Sequence, residues 1–149
     1  MIGRFTLKEW FTALVVLVVL AAIAVPMWRT HQLRVRREDA ADALRKVQVA
    51  QDDYFARHAR YANEEQLRDA APEAMSGKAM SGKAMSPRGY YLISLRRSDD
   101  DLTFTATARA APLEGEAEDT RCVEMRIDQN GRRFAVDAAG EDRSADCWR

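Results

Sequence analysis

The chain has 149 residues, 23 basic and 23 acidic side chains, a formal net charge of zero and two cysteines. That length fits one small domain plus a membrane segment, and the charge balance excludes a bulk electrostatic pull toward nucleic acid or an acidic substrate. The 47% hydrophobic fraction is concentrated near the N-terminus, so the polar remainder can build only a modest core.

From Trp10 to Trp28 no charged residue interrupts an apolar run, and Glu9 stands at its N-terminal mouth. As a helix the run is roughly 28 Å long, close to the ~30 Å hydrocarbon core of a bilayer. It is too long for a cleaved secretory signal, and Val25, Pro26, Met27, Trp28 and Arg29 make a poor cut site. The reading is a retained membrane helix over residues 5–28. Pro26 lacks a backbone donor and is expected to bend it.

The helix is expected to continue over residues 29–60. Leu33, Ala40, Leu44, Val47, Gln51, Tyr54 and His58 recur at threes and fours, the spacing of one helix face. Ala40, Ala41, Leu44, Val47, Tyr54 and Phe55 are the expected buried stripe, with charge on the other face. A globular head then occupies residues 61–149. Inside it, residues 74–86 read AMSGKAMSGKAMS, a five-residue unit given twice and begun again. The composition predicts a flexible surface insertion.

The last third reads as about four antiparallel strands. Residues 90–95 (YYLISL) and 102–108 (LTFTATA) are rich in aromatic and β-branched side chains. Ser98, Asp99, Asp100 and Asp101 form the polar turn between them. Residues 122–127 alternate apolar and polar, Asn130-Gly131 signals a hairpin, and residues 132–136 return. Such a meander needs a cover for its apolar face, and the amphipathic half of the long helix supplies it. The fold class is therefore α+β: a long N-terminal helix packed on a small antiparallel sheet. Cys122 and Cys147 are expected to form a disulfide that ties an irregular C-terminal tail to the third strand, closing a loop over 122–147.

Orientation is open at this point. Arg29, Arg34, Arg36 and Arg37 outnumber Arg4 and Lys8, which places the C-terminal side in the cytoplasm. A disulfide argues the reverse.

Chemistry-bearing motifs are few. His31 and His58 have no metal-ligand spacing and read as exposed helix residues. Asp99, Asp100 and Asp101 are contiguous and lack a calcium-loop pattern, so they read as a solvated turn. No nucleophile elbow, phosphate loop or zinc helix motif occurs. No cofactor, metal or catalytic residue is expected, and the chain does not read as an enzyme. Arg96, Arg97, Arg132 and Arg133 could cluster on the sheet as a nucleic-acid patch, but ordinary exposed strand charges are the better reading.

Phe5-Thr6-Leu7-Lys8-Glu9, followed by the apolar run to Ala24-Val25-Pro26, resembles the N-terminal signature of type IV pilins and related pseudopilins. The residues from Tyr54-Phe55 to Tyr61-Ala62, and the pattern Cys122, Asp128, Gly131 and Asp146-Cys147-Trp148, resemble the PilE-like minor pilins. The resemblance implies a pilin fold and a short leader, residues 1–4, facing the cytoplasm. The head then lies in the periplasm of a Gram-negative bacterium, which resolves the orientation. It also implies cleavage by a prepilin peptidase between Arg4 and Phe5 and methylation of the new amine. Glu9 is then the carboxylate that pairs with a neighbouring subunit's N-terminal amine and sets the stacking register. Three positions depart from the pattern: Arg4 where glycine precedes the cut, Lys8 where an apolar residue is usual, and Val18 where many pilins carry glycine. The implied function is a minor type IV pilin, a non-enzymatic subunit incorporated into or initiating the pilus, serving adhesion, twitching motility and DNA uptake. Implied partners are the major pilin, other minor pilins and the inner-membrane assembly platform. The alternatives are a DNA-receptor pilin of natural transformation and a pseudopilin of a type II secretion system.

Overall fold

A computed structural model describes residues 7–75, 84–112 and 119–148. The chain forms two units, Met1–Arg34 and Val35–Arg149. Helix α1 runs Leu7–His58, within about two residues of the expected ends. Its apolar window has a mean hydropathy of 2.5, and none of that window is buried against the rest of the chain. Length and composition there suffice to cross a membrane. The described side chains from Lys8 to Ala24 are all exposed, as an apolar surface made for another solvent would be.

In the second unit the C-terminal part of α1 supplies one wall of the core. Ala40, Ala41, Leu44, Val47 and Tyr54 are buried as the spacing predicts, while Phe55 is only half-buried. Ala43 and Gln51 are buried as well. Five antiparallel strands in the order β1-β2-β3-β4-β5 form the opposing sheet: Ala84–Met85, Tyr91–Arg97, Phe104–Ala110, Glu124–Asp128 and Arg133–Val136. Tyr91, Ile93, Leu95, Phe104, Ala106, Ala108, Met125, Ile127 and Ala135 face α1 and join its stripe in one core. Alternation along each strand assigns these side chains to one face and the intervening polar ones to the other.

The sheet has one strand more than expected. The added strand, β1, comes from the repeat. Ala74 and Met75 of the first AMSGK unit and Ala84, Met85 and Ser86 of the third are all buried. The insertion is thus anchored at both ends rather than being a surface loop throughout; residues 76–83 lie outside the described residues. What distinguishes the third copy is the sequence after it. Ser86 accepts from the Gly89 N–H at 2.8 Å and donates its own N–H to Tyr91 O at 2.7 Å. Its hydroxyl accepts from the Tyr91 N–H at 3.0 Å, which closes the β1–β2 turn.

Three further elements were not anticipated, one of them a single 3-10 turn at Pro72–Ala74. Helix α2, Glu64–Ala70, begins with a reciprocal cap: Asn63 Oδ1 accepts from Gln66 N at 2.8 Å, and Gln66 Oε1 accepts from Asn63 N at 3.0 Å. The tail is not irregular. It crosses back beside β5 through a bridge between Val136 and Asp142 and ends in one helical turn, α3, Ser144–Cys147. The Ala135 N–H donates to Ser144 Oγ, the Arg143 N–H donates to Ala135 O, and Trp148 Nε1 donates to Phe134 O. These contacts occupy edge groups that an uncovered strand would offer to another chain. Cys122 and Cys147 are bonded with Cα atoms 5.9 Å apart, and both are buried. Cys122 sits just before β4, so the bond fixes the tail against the sheet.

Candidate functional site

The sheet's other face is open to solvent, and its registers define it. Arg96 is paired with Thr105, which is paired with Asp128; Ser94, Thr107, Arg126 and Phe134 form a second cross-strand row; Leu92, Arg109, Glu124 and Val136 form a third. An open groove of ≈ 690 Å³ crosses the β2–β4 part of this surface, lined by Ser94, Arg96, Thr105, Thr107, Arg109 and Arg126 among others.

Glu124 organises the groove. Its side chain is 8% exposed, against 67% for Arg109 and 48% for Arg126. Arg109 Nη2 donates to Glu124 Oε2 at 2.7 Å, and Arg126 donates to Glu124 Oε1. Burial alone would raise the Glu124 carboxyl, but the hydrogen bonds and charges of the two arginines outweigh it and hold it below its ordinary range. One carboxylate therefore fixes two guanidiniums; with Asp128 in the same row as the exposed Arg96, the face carries one net positive charge. Asp128 is used locally, its Oδ1 accepting from the N–H groups of Asn130 and Arg132 at 2.9 Å each.

The cluster of Arg96, Arg97, Arg132 and Arg133 that the sequence reading set aside does not form. Arg96 is on the open face, but Arg97 alternates to the other side, where Nε pairs with Asp101 at 2.8 Å and Nη1 donates to Tyr61 O at 3.1 Å. Arg132 lies in the β4–β5 turn, and Arg133 lies over the Trp148 ring at 5.3 Å. Strands β3 and β4 stand between the two pairs. Arg109 and Arg126, missed in the sequence, complete the cationic face. The available signal was the alternation of TATARA and EMRID, which puts each arginine opposite the apolar positions.

Of the other anticipated positions, Arg4 and Phe5 lie outside the described residues. Glu9 is in the first turn of α1 and exposed, where a carboxylate also complements the helix dipole. Pro26 lies within α1, and the Thr30 hydroxyl donates to its carbonyl at 2.9 Å. His31 and His58 are both exposed, and His58 stacks on Tyr54 at 4.1 Å. Asp99, Asp100 and Asp101 form the β2–β3 turn, in which Asp101 takes a positive φ of 60°. Among the described residues no group of His, Cys, Asp and Glu could hold a metal ion.

The family described as "Type IV minor pilin ComP, DNA uptake sequence receptor" matches residues 26–126, from the middle of α1 to Arg126 of the open face. The chain belongs to this family of type IV minor pilins. No curated protein matches this minor pilin. Among solved structures it is similar to a type IV pilin from Shewanella oneidensis at 21% identity with a TM-score of 0.45, over 68% of this chain and 89% of that one. An apolar N-terminal helix, a disulfide-closed head and membership of this family make the minor pilin a membrane-anchored pilus subunit.

Proposed function

We propose that this minor pilin waits in the inner membrane of a Gram-negative bacterium, head in the periplasm, and is then assembled into a type IV pilus, where the head captures DNA. The observation that carries this reading is the family match, which spans the stretch holding Arg96, Arg109 and Arg126. The open face suits the task. Guanidiniums and hydroxyls over a groove can meet phosphate oxygens, and phosphate contacts dominate nucleic-acid affinity.

Assembly follows from the N-terminus. Prepilin peptidase cuts between Arg4 and Phe5, and the Phe5 amine is methylated. The apolar surface then exchanges lipid for the corresponding helices of the major pilin, other minor pilins and their neighbours, on the inner-membrane assembly platform. Glu9 steers that exchange, because a carboxylate at the edge of hydrocarbon is costly unless paired. A neighbour's N-terminal amine supplies the pair, with attraction strengthened and desolvation cost raised in the same low dielectric. Pro26 gives the helix a bend. Adhesion and twitching follow from the pilus itself.

Duplex DNA titrated onto the Val35–Arg149 head at graded salt tests the capture step, since that unit has its own core. The expected result is affinity that falls linearly in log–log form with salt. Replacing Arg96 and Arg126 together by alanine lowers that slope by roughly 2. A head that binds no DNA at low salt contradicts the reading.

A further inference from the structure

We propose that the β3–β5 part of the open face is a seat for unpaired bases, with Phe134 as the stacking platform and Arg126, Arg109 and Arg96 as the phosphate track. This rests on the DNA-capture reading and deepens it by naming the form of DNA the surface holds.

Phe134 is 47% exposed in the middle of a regular strand. It is paired opposite Arg126, and the row continues to Thr107 and Ser94. Its backbone sits in the β4 ladder, and its carbonyl also accepts from Trp148 Nε1 at 3.0 Å. The ring is thus offered on a fixed base, about half of it open to solvent among the described residues. Beside it Arg126 is held in place by Glu124, which also holds Arg109. At about 4.8 Å per strand the row from Phe134 to Ser94 spans roughly 14 Å, comparable to a sheet that stacks two or three bases.

The ring decides between duplex and single strand. Bases inside a duplex are already stacked on each other and present only their edges. An unpaired base presents a π face, and aromatic side chains stack on it whatever its identity. Arginines and hydroxyls alone would serve either form. Trp148 does not duplicate the role, because its indole N–H is bonded to β5 and Arg133 covers its ring.

The test uses the full chain in detergent micelles with two labelled probes, a 15-nucleotide oligothymidine and a 15-base-pair duplex. Phe134→Ala should weaken oligothymidine binding about five- to hundredfold, leave duplex binding within about twofold, and regain single-strand affinity as Phe134→Trp. The exposed ring makes the variants safe to fold, which a thermal melt verifies. Wild-type protein that fails to bind oligothymidine, or Phe134→Ala that weakens neither probe or both equally, overturns the seat. Duplex binding that persists in those cases leaves the capture reading standing; loss of both probes from wild type removes it too. Unchanged DNA binding with less Phe134→Ala protein in sheared pili identifies the ring as a subunit contact and also overturns the proposal.

Discussion

Gln51 is fully buried because both ends of its amide are used: Nε2 donates to Ala62 O at 2.8 Å and Oε1 accepts from Ala62 N at 2.9 Å. The pair holds the chain reversal after α1, where Ala59 takes a φ of 54°. Gln51→Leu keeps the volume but strands two buried backbone groups. The expected loss is about 2–3 kcal/mol by urea denaturation, whereas an exposed neighbour such as Asp52→Ala changes little. Arg37 and Asp119 form the second internal tie, with side chains 18% and 3% exposed and a 2.7 Å contact. Asp119 Oδ1 also accepts from the N–H groups of Arg121 and Cys122. Asp119→Ala leaves Arg37 half-buried without its partner and is expected to cost about 3–5 kcal/mol in the same assay. Glu124 carries a pH signature. Its folded pKa lies below its ordinary value of 4.5. Its contribution is therefore present above that value and lost as pH falls through the lower folded one. Melting temperature measured from pH 7 to 3 should drop on the acid side, and Glu124→Gln should make that drop shallower.

At the level of elements, one local device recurs. In Asp128–Gly131 the Gly131 N–H returns to Asp128 O at 3.0 Å, and in Asp137–Gly140 the Gly140 N–H returns to Asp137 O at 3.0 Å. Both glycines have positive φ, 72° and 82°, and both aspartates accept N–H groups two and four residues on. A type I turn followed by a left-handed residue is the three-residue hairpin. Asn130-Gly131 announced the first of these, with the loop one residue longer than the dipeptide suggests. The second was legible in the same spacing, Asp-x-x-Gly, and turns β5 back toward Asp142. At Gly131 an added Cβ would also lie 3.1 Å from Gln48 Nε2. Gly131→Ala is expected to lower stability by about 1 kcal/mol, measured by denaturation. The long helix and four strands were legible because period and β-propensity agreed with burial. Helix α2 had a readable capping box in Asn63 to Gln66 that hydrophobic periodicity over so short a segment could not reveal. Strand β1 was illegible, since three identical Ala-Met pairs carry no local difference and only the Ser86–Gly89 turn selects the third. The open face was half legible: Arg96 was found, but adjacency in sequence misled for Arg97, which alternation turns inward.

For the molecule as a whole, charge neutrality hides an uneven layout. The open face sets Arg96, Arg109 and Arg126 against Glu124 and Asp128, one net positive charge within a chain whose formal charge is zero, a local layout that composition does not reveal. The Cys122–Cys147 bond holds the tail that protects β5, across a separation of 25 residues. Its loss through the double serine variant is expected to cost about 3 kcal/mol and to expose the β5 edge, seen as faster amide exchange at Ala135. The N-terminal helix belongs to a different environment from the head, and assembly is the process that uses both. Mass spectrometry of the N-terminus in sheared-pilus and membrane fractions tests that account most directly. It predicts a methylated peptide beginning at Phe5 in the pilus fraction; an intact form beginning at Met1 and confined to membranes contradicts it.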